Sequence, residues 1–72
     1  MSRKKNKGLN VGSEHEIIIE RMAHEGQGIG KINEITVFVE GAIFGEKCLA
    51  EITKSKKDYA IARIVKILEA SP

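Results

Sequence analysis

The chain is short of several residue types, and each shortage narrows what it can be. It has one cysteine, Cys48, and no tryptophan. A single thiol cannot close an internal disulfide, and no second thiol is present to complete a metal site. That usage points to an intracellular, cytoplasmic location. No apolar run reaches the length that crosses a bilayer, so no membrane partner is expected. The first residues, MSRKKNKGLNVGS, lack an apolar central segment and do not form a secretory signal. His15 and His24, with scattered acids, give no metal-ligand spacing. Only Phe38, Phe44 and Tyr59 are aromatic, so each ring serves the core or a ligand.

Seventy-two residues make one domain with one small core, expected to act as a monomer. The net charge of +2 hides an asymmetry. Residues 1–11 hold Arg3, Lys4, Lys5 and Lys7 and no acid, whereas residues 12–72 hold eight basic and ten acidic groups. Residues 1–13 therefore read as a flexible basic arm, and residues 14–72 as the folded domain. The arm suits nucleic acid, or is simply a solvated terminus.

Glycine is where the chain is rich. Five of the seven glycines lie between His24 and Glu46, three of them alternating at Gly26, Gly28 and Gly30. The triplet is G-x-G-x-G, no helical pattern opens after it, and no βαβ unit surrounds it. It is therefore not a dinucleotide-binding loop. Glycines of this kind permit tight turns and strongly curved strands.

Apolar runs on either side read as strands. Ile17, Ile18 and Ile19 form a β-branched run that disfavours helix. Gly28 to Ile32 is a short second strand, and Asn33-Glu34 a tight connection in which Asn33 tolerates positive φ. Ile35 to Val39 alternates, with Val37 and Val39 on one side and Phe38 on the other. Lys47 to Lys54 alternates with Cys48, Ala50 and Ile52 inward. Tyr59 to Leu68 fits either an amphipathic helix or a strand. A preceding meander with glycine-rich turns favours the strand, with Ile61, Arg63, Val65 and Ile67 on one face. The expected fold is all-β, a small five-stranded antiparallel barrel of the oligonucleotide-binding type.

Four motifs in order carry a resemblance. They are His24-Glu-Gly-Gln-Gly-Ile-Gly30, Val37-Phe-Val-Glu-Gly-Ala-Ile-Phe-Gly-Glu46, Ile52-Thr-Lys-Ser-Lys-Lys-Asp-Tyr-Ala60 and Leu68-Glu-Ala-Ser-Pro72. Over residues 14–72 the chain resembles a TRAM domain. It is most like the N-terminal TRAM domain of 23S rRNA (uracil-5-)-methyltransferases. The resemblance implies a barrel that grips RNA, rRNA above all, for an attached methyltransferase domain. S-adenosylmethionine and the catalytic cysteine and acid would belong to that downstream domain, so this chain is expected to be non-catalytic alone and to hold no cofactor or metal. Two departures concern the binding rim. Glu40 and Phe44 stand where the family often has proline, which places an acid near the rim and a ring in a loop.

Candidate RNA contacts follow from two chemistries. Lysines and arginines follow phosphates, and exposed rings stack on bases. The candidates are Arg21, His24, Lys31, Phe38, Phe44, Lys54, Lys56 and Lys57. Each has a plainer alternative. Phe38 and Phe44 can plug the core, His24 can cap its turn, and the Lys54–Lys57 turn can be a solvated hairpin. Cys48 has no histidine partner near it in sequence and reads as a small core residue. A free-standing RNA chaperone and a protein-binding SH3-like barrel are the rival functions.

Overall fold

The computed structural model describes residues 9–70. Six strands follow in chain order: β1 (Glu14–Ile18), β2 (Arg21–Met22), β3 (Gly28–Ile32), β4 (Ile35–Glu40), β5 (Lys47–Ser55) and β6 (Tyr59–Glu69). They form a single sheet in the order β1-β5-β6-β4-β3-β2. The described residues contain no helix, so the Tyr59–Leu68 segment is a strand, with tertiary pairing overriding its helical periodicity.

The all-β expectation holds, and the barrel detail needs correction. There are six strands rather than five, the order of the sheet is not a closed ring, and one pair is parallel. The parallel pair arises because the loop after β4 carries the chain across β6. β5 then starts on the far side, and β6 returns between β5 and β4. The extra strand arises because the first strand is broken in two by a bend. Only Ile19 and Glu20 separate β1 from β2. The Ile19 N–H donates to the Glu46 carbonyl at 2.9 Å, and the Glu20 N–H to the Ile29 carbonyl at 2.7 Å. Within two residues the segment leaves the β5 side and joins β3. The formal ends of the sheet are thus two halves of one bent segment, and the sheet wraps around a core.

That core follows the strand alternation. Ile17 and Ile19, Val37 and Val39, Cys48, Ala50 and Ile52, and Ala60 and Ala62 are all buried, while Ile18 points out at 58% exposure. Full burial of an Ile or Val contributes about 1.5–3 kcal/mol relative to exposure. Small residues face the middle of β5 and β6, where the curved strands approach. Two glycines go further. A Cβ at Gly30 would lie 2.4 Å from the Ile18 carbonyl oxygen and 2.6 Å from Ile17 Cγ1. At Gly28 it would lie 2.8 Å from Ile19 Cγ2 and 2.9 Å from Ala42 Cβ. Both positions face inward on β3, under the bent segment.

At the β3–β4 hairpin, Asn33 and Glu34 both take positive φ, 52° and 69°. Two left-handed central residues match the twist of the flanking strands. β6 departs from strict alternation. Register shifts between Leu49 and Ala50 and between Lys47 and Cys48 leave extra residues on β6. Ile67 therefore falls opposite the inward Cys48, on the side of Ala62 and Ile64, and not on that of Ile61 and Arg63. A bulge of this kind reverses which face a side chain occupies.

The packed domain reaches back past Glu14. Leu9 is buried in the core, the Gly12 N–H donates to the Ile52 carbonyl at 2.7 Å, and the Ile52 N–H donates to the Ser13 carbonyl at 2.9 Å. Gly12 and Ser13, read from sequence as part of the arm, thus bond to β5, and Leu9 of the same stretch enters the core. Arg3, Lys4, Lys5 and Lys7 and the terminal Ser71-Pro72 lie outside the described residues.

The crossing of β1–β2 over Gly30 sets an expected stability difference. Gly30→Ala should destabilise by about 3 kcal/mol, since backbone must move to admit the methyl group. Gly26→Ala should cost about 1 kcal/mol, from its positive φ alone, because its Cβ would meet nothing within 4 Å. Urea unfolding of the two variants checks this, and equal losses would show that the crossing is not the constraint.

Candidate nucleic-acid interface

The outward face of the sheet is built from the residues that alternate away from the core. The registers align them in rows across the strands. Arg21 pairs with Ile29, Ile29 with Phe38, Phe38 with Ile61, and Ile61 with Lys54. One row therefore reads Arg21, Ile29, Phe38, Ile61, Lys54, apolar in the middle and basic at both ends. The neighbouring row reads Lys31, Thr36, Tyr59. Beyond Tyr59 the turn carrying Lys56 and Lys57 is closed by a bond from the Lys56 N–H to the Tyr59 carbonyl, 2.8 Å.

Phe38 and Tyr59 meet edge to face, with ring centroids 5.8 Å apart and planes at 88°. Such a pair contributes about 0.5–1.5 kcal/mol beyond area burial. It also holds the Phe38 ring on the outer face, half-buried, and leaves Tyr59 38% exposed. Phe38 is thus not a core plug, because Val37 and Val39 fill the interior on either side of it. Arg21, Lys31, Lys54, Lys56 and Lys57 are all exposed. Among the described residues the ion pairs are Lys47–Glu16 at 3.6 Å and Arg63–Glu51 at 2.6 Å, so none of these five cations is neutralised by one.

The next row in the other direction changes sign. Glu40, Arg63, Glu51 and Glu14 align across β4, β6, β5 and β1, and Arg63 is bound to Glu51. Glu40 therefore marks the limit of the basic face, two residues along β4 from Phe38.

The eight sequence candidates separate by position. Arg21, Lys31, Phe38 and Lys54 share the outward face, and Lys56 and Lys57 stand in the turn at its end. His24, exposed in the β2–β3 turn, and Phe44, exposed in the β4–β5 loop, lie at the opposite end of the strands. Ile29, Thr36, Tyr59 and Ile61 complete the face and were not among the candidates. Their single-residue alternation is visible in sequence, but their adjacency depends on which strands pair.

The β4–β5 loop is held firmly. The Glu46 carboxylate accepts the Ile43 N–H at 2.9 Å, and the Glu46 N–H donates to the Ile43 carbonyl at 3.0 Å. The Gly45 N–H donates to the Ile19 carbonyl at 3.0 Å. Glu46 is buried there, beside fully buried Cys48. Burial, and secondarily the Glu46 charge, push the Cys48 thiol above its ordinary value. A nucleophilic cysteine needs the opposite shift. Among the described residues no three histidine, cysteine or acidic side chains gather as a metal site, and no helix is long and apolar enough to cross a membrane.

With this geometry in place, the known proteins that the chain resembles are consistent in kind. The TRAM domain family model matches residues 8–65. An uncharacterized RNA methyltransferase of Caldanaerobacter subterraneus is 44% identical over 63 residues, 88% of this chain and 14% of the relative. The 23S rRNA (uracil(1939)-C(5))-methyltransferase of Photobacterium profundum is 49% identical over 57 residues, 79% of this chain and 12% of the relative. The chain thus spans only a small part of the length of these relatives. A conserved protein of Methanococcus maripaludis, known from a solution structure, superposes with a TM-score of 0.74 at 35% identity, covering 79% of this chain and 81% of that one.

The Cys48 environment sets a measurable pH response. The unfolded thiol loses its proton near 9.0 and the folded one only above that. Above that pH the unfolded state binds fewer protons, so stability should fall as pH rises through it. Native Cys48 should also alkylate at pH 8 about a hundredfold more slowly than in denaturant, since reaction requires opening of the core. Thiol titration with and without urea checks this, and equal rates would place the thiol at the surface.

Proposed function

The chain belongs to the TRAM domain family, and on that premise we propose that it binds single-stranded RNA through the outward face of β2, β3, β4 and β6. The observation that carries this reading is the row Arg21, Ile29, Phe38, Ile61, Lys54. A strand of RNA needs cations for its phosphates and apolar or aromatic surface for its bases, spaced within a few nucleotides. The row and its neighbour supply both. Arg21 and Lys31 stand on one flank of the Phe38–Tyr59 pair, and Lys54, Lys56 and Lys57 on the other. The bases rest on Phe38 and Tyr59, with Ile29 and Ile61 extending the platform. Because every base has a stackable face, recognition here is tolerant of sequence.

The larger protein we propose is an S-adenosylmethionine-dependent 23S rRNA uracil-5-methyltransferase of the cytoplasm. Support comes from the relatives, which carry a matching stretch within a much longer RNA methyltransferase. In that role this chain holds rRNA near the target uracil and performs no catalytic step, while the methyl donor binds in another domain. A second reading is favoured by one observation. The Methanococcus neighbour is matched over most of its own length, so a protein of about this size can stand alone. In that case the same face serves a small RNA chaperone. The extent of the reading frame beyond Pro72 separates the two.

Titration of a single-stranded RNA by fluorescence anisotropy at several salt concentrations tests the face. Lys54→Glu combined with Lys56→Glu should weaken binding about tenfold or more and flatten the salt slope by about 1–2. Phe38→Ala should weaken it by about 1–3 kcal/mol while leaving the slope unchanged. Undiminished binding in both variants would refute the face.

A further inference from the structure

β1 and β3 approach each other without pairing. They are not hydrogen-bonded neighbours in the sheet, yet a Cβ at Gly30 would lie 2.4 Å from the Ile18 carbonyl oxygen. The bend at Ile19–Glu20 causes this. β1 stays with β5, and only beyond the bend does β2 join β3. The seam left between β1 and β3 opens outward as a cleft of about 310 Å³. Its walls are Glu16 and Ile18 of β1, Lys47 of β5, Lys31 of β3 and Glu20 of the bend, with buried Ile17 beneath. Lys31 ties this cleft to the outward face. It stands in the row Lys31, Thr36, Tyr59, beside the Phe38–Tyr59 pair, and it also lines the cleft. A strand of RNA resting its bases on those rings meets the cleft as it passes Lys31.

The polar groups of the cleft indicate what it takes. Two carboxylates and two ammonium groups leave it without net charge, so the carboxylates oppose entry of a phosphate. A carboxylate only accepts hydrogen bonds, and an ammonium group only donates them. Glu16 and Lys47 already hold each other at 3.6 Å. Among the described residues Glu20 and Lys31 have no ion pair. The cleft thus offers an unpaired acceptor group, cationic donors and the apolar side chain of Ile18, which is 58% exposed. Its volume lies at the low end of ligand sites, about 300–1,000 Å³, which suits a single planar group that both donates and accepts.

Resting on the reading of the outward face as an RNA surface, we propose that the cleft takes one unpaired guanine of the bound strand. Guanine alone among the four bases carries two N–H donor groups side by side, N1–H and the N2 amine. A carboxylate meets such a pair with both of its oxygens. Guanine O6 and N7 accept from a cationic side chain, the commonest specific base contact. Glu20 receives the donor edge, Lys31 and Lys47 serve the acceptor edge, and the ring lies against Ile18. Glu16 positions Lys47 through their ion pair. Uracil brings acceptor oxygens and no amine, while adenine and cytosine each bring a single amine. The platform of Phe38 and Tyr59 is tolerant of sequence, so Glu20 is the residue that adds a preference.

Fluorescence anisotropy with the 72-residue chain tests this. The probes are short labelled RNA strands, either all uridine or carrying one guanosine, inosine, adenosine or cytidine. One guanosine should tighten binding about tenfold over the all-uridine strand, as a bidentate base contact does. Inosine, which lacks the N2 amine, should lose most of that gain. Glu20→Gln should shrink the guanosine gain to about twofold or less, while the all-uridine strand binds no more weakly than it does to the wild type. The variant should keep its circular-dichroism spectrum, because the Glu20 side chain is exposed. Equal affinity for all strands overturns the cleft and leaves the RNA face standing. A guanosine gain that survives Glu20→Gln, or a preference for adenosine or cytidine, also overturns it. Guanosine monophosphate binding as tightly as the guanosine strand overturns the assignment to RNA and gives the cleft to a free nucleotide. Failure of every strand to bind overturns the RNA reading itself, and the cleft with it.

Discussion

The structure depends on one close approach, the passage of the bent first segment over β3. Gly28 and Gly30 face the interior, where any other residue would place a Cβ. The Ile18 carbonyl and the side chains of Ile17 and Ile19 occupy that space instead. Because the segment can lie this close, β1 pairs with β5 and β2 with β3 within one short stretch of chain. The two ends of the sheet are brought together, and a six-stranded sheet encloses a core with small residues at its centre. A methyl group at Gly30 would push the segment outward and open the sheet along this line.

Wrapping the sheet around its core in this way also sorts the surface. With the interior taken by Val37, Val39, Ala60 and Ala62, the alternate residues of the same strands must face solvent. The parallel pairing of β4 with β6 then sets Phe38 beside Ile61, and Thr36 beside Tyr59. That is how residues about twenty positions apart in sequence come to form one platform flanked by cations. At the other end of the strands, β6 outruns β4 and leaves Val65, Ile67 and Leu68 exposed, with Lys66 and Glu69 among them.

Much of this was legible residue by residue. The inward set of β4 and β5 followed from alternation, and the turn at Asn33 from the tolerance of asparagine for positive φ. Glu34 also takes positive φ, and sequence gave no signal for that, since glutamate is not a residue that favours it. The bend at Ile19–Glu20 was invisible for a different reason. Three consecutive isoleucines read as one straight strand, and only the hydrogen bonds to Glu46 and Ile29 reveal where pairing changes sides. Ile67 was assigned to the wrong face because bulges arise from how two strands fit and leave no mark on hydropathy.

The amino-acid sequence by itself determined the composition of the strands, the need for glycine between His24 and Glu46, the family, and which side chains carry charge or rings. Those are local properties, set by backbone sterics, alternation and chemistry at each position. Only the tertiary structure decided that Arg21, Lys31, Phe38 and Lys54 share a face, that His24 and Phe44 stand at the opposite end, and that β6 leaves an apolar overhang. The reason is physical. Strand order and register are settled by which pairing closes a core around Gly28 and Gly30, a condition on the whole chain at once. No short window of residues contains it.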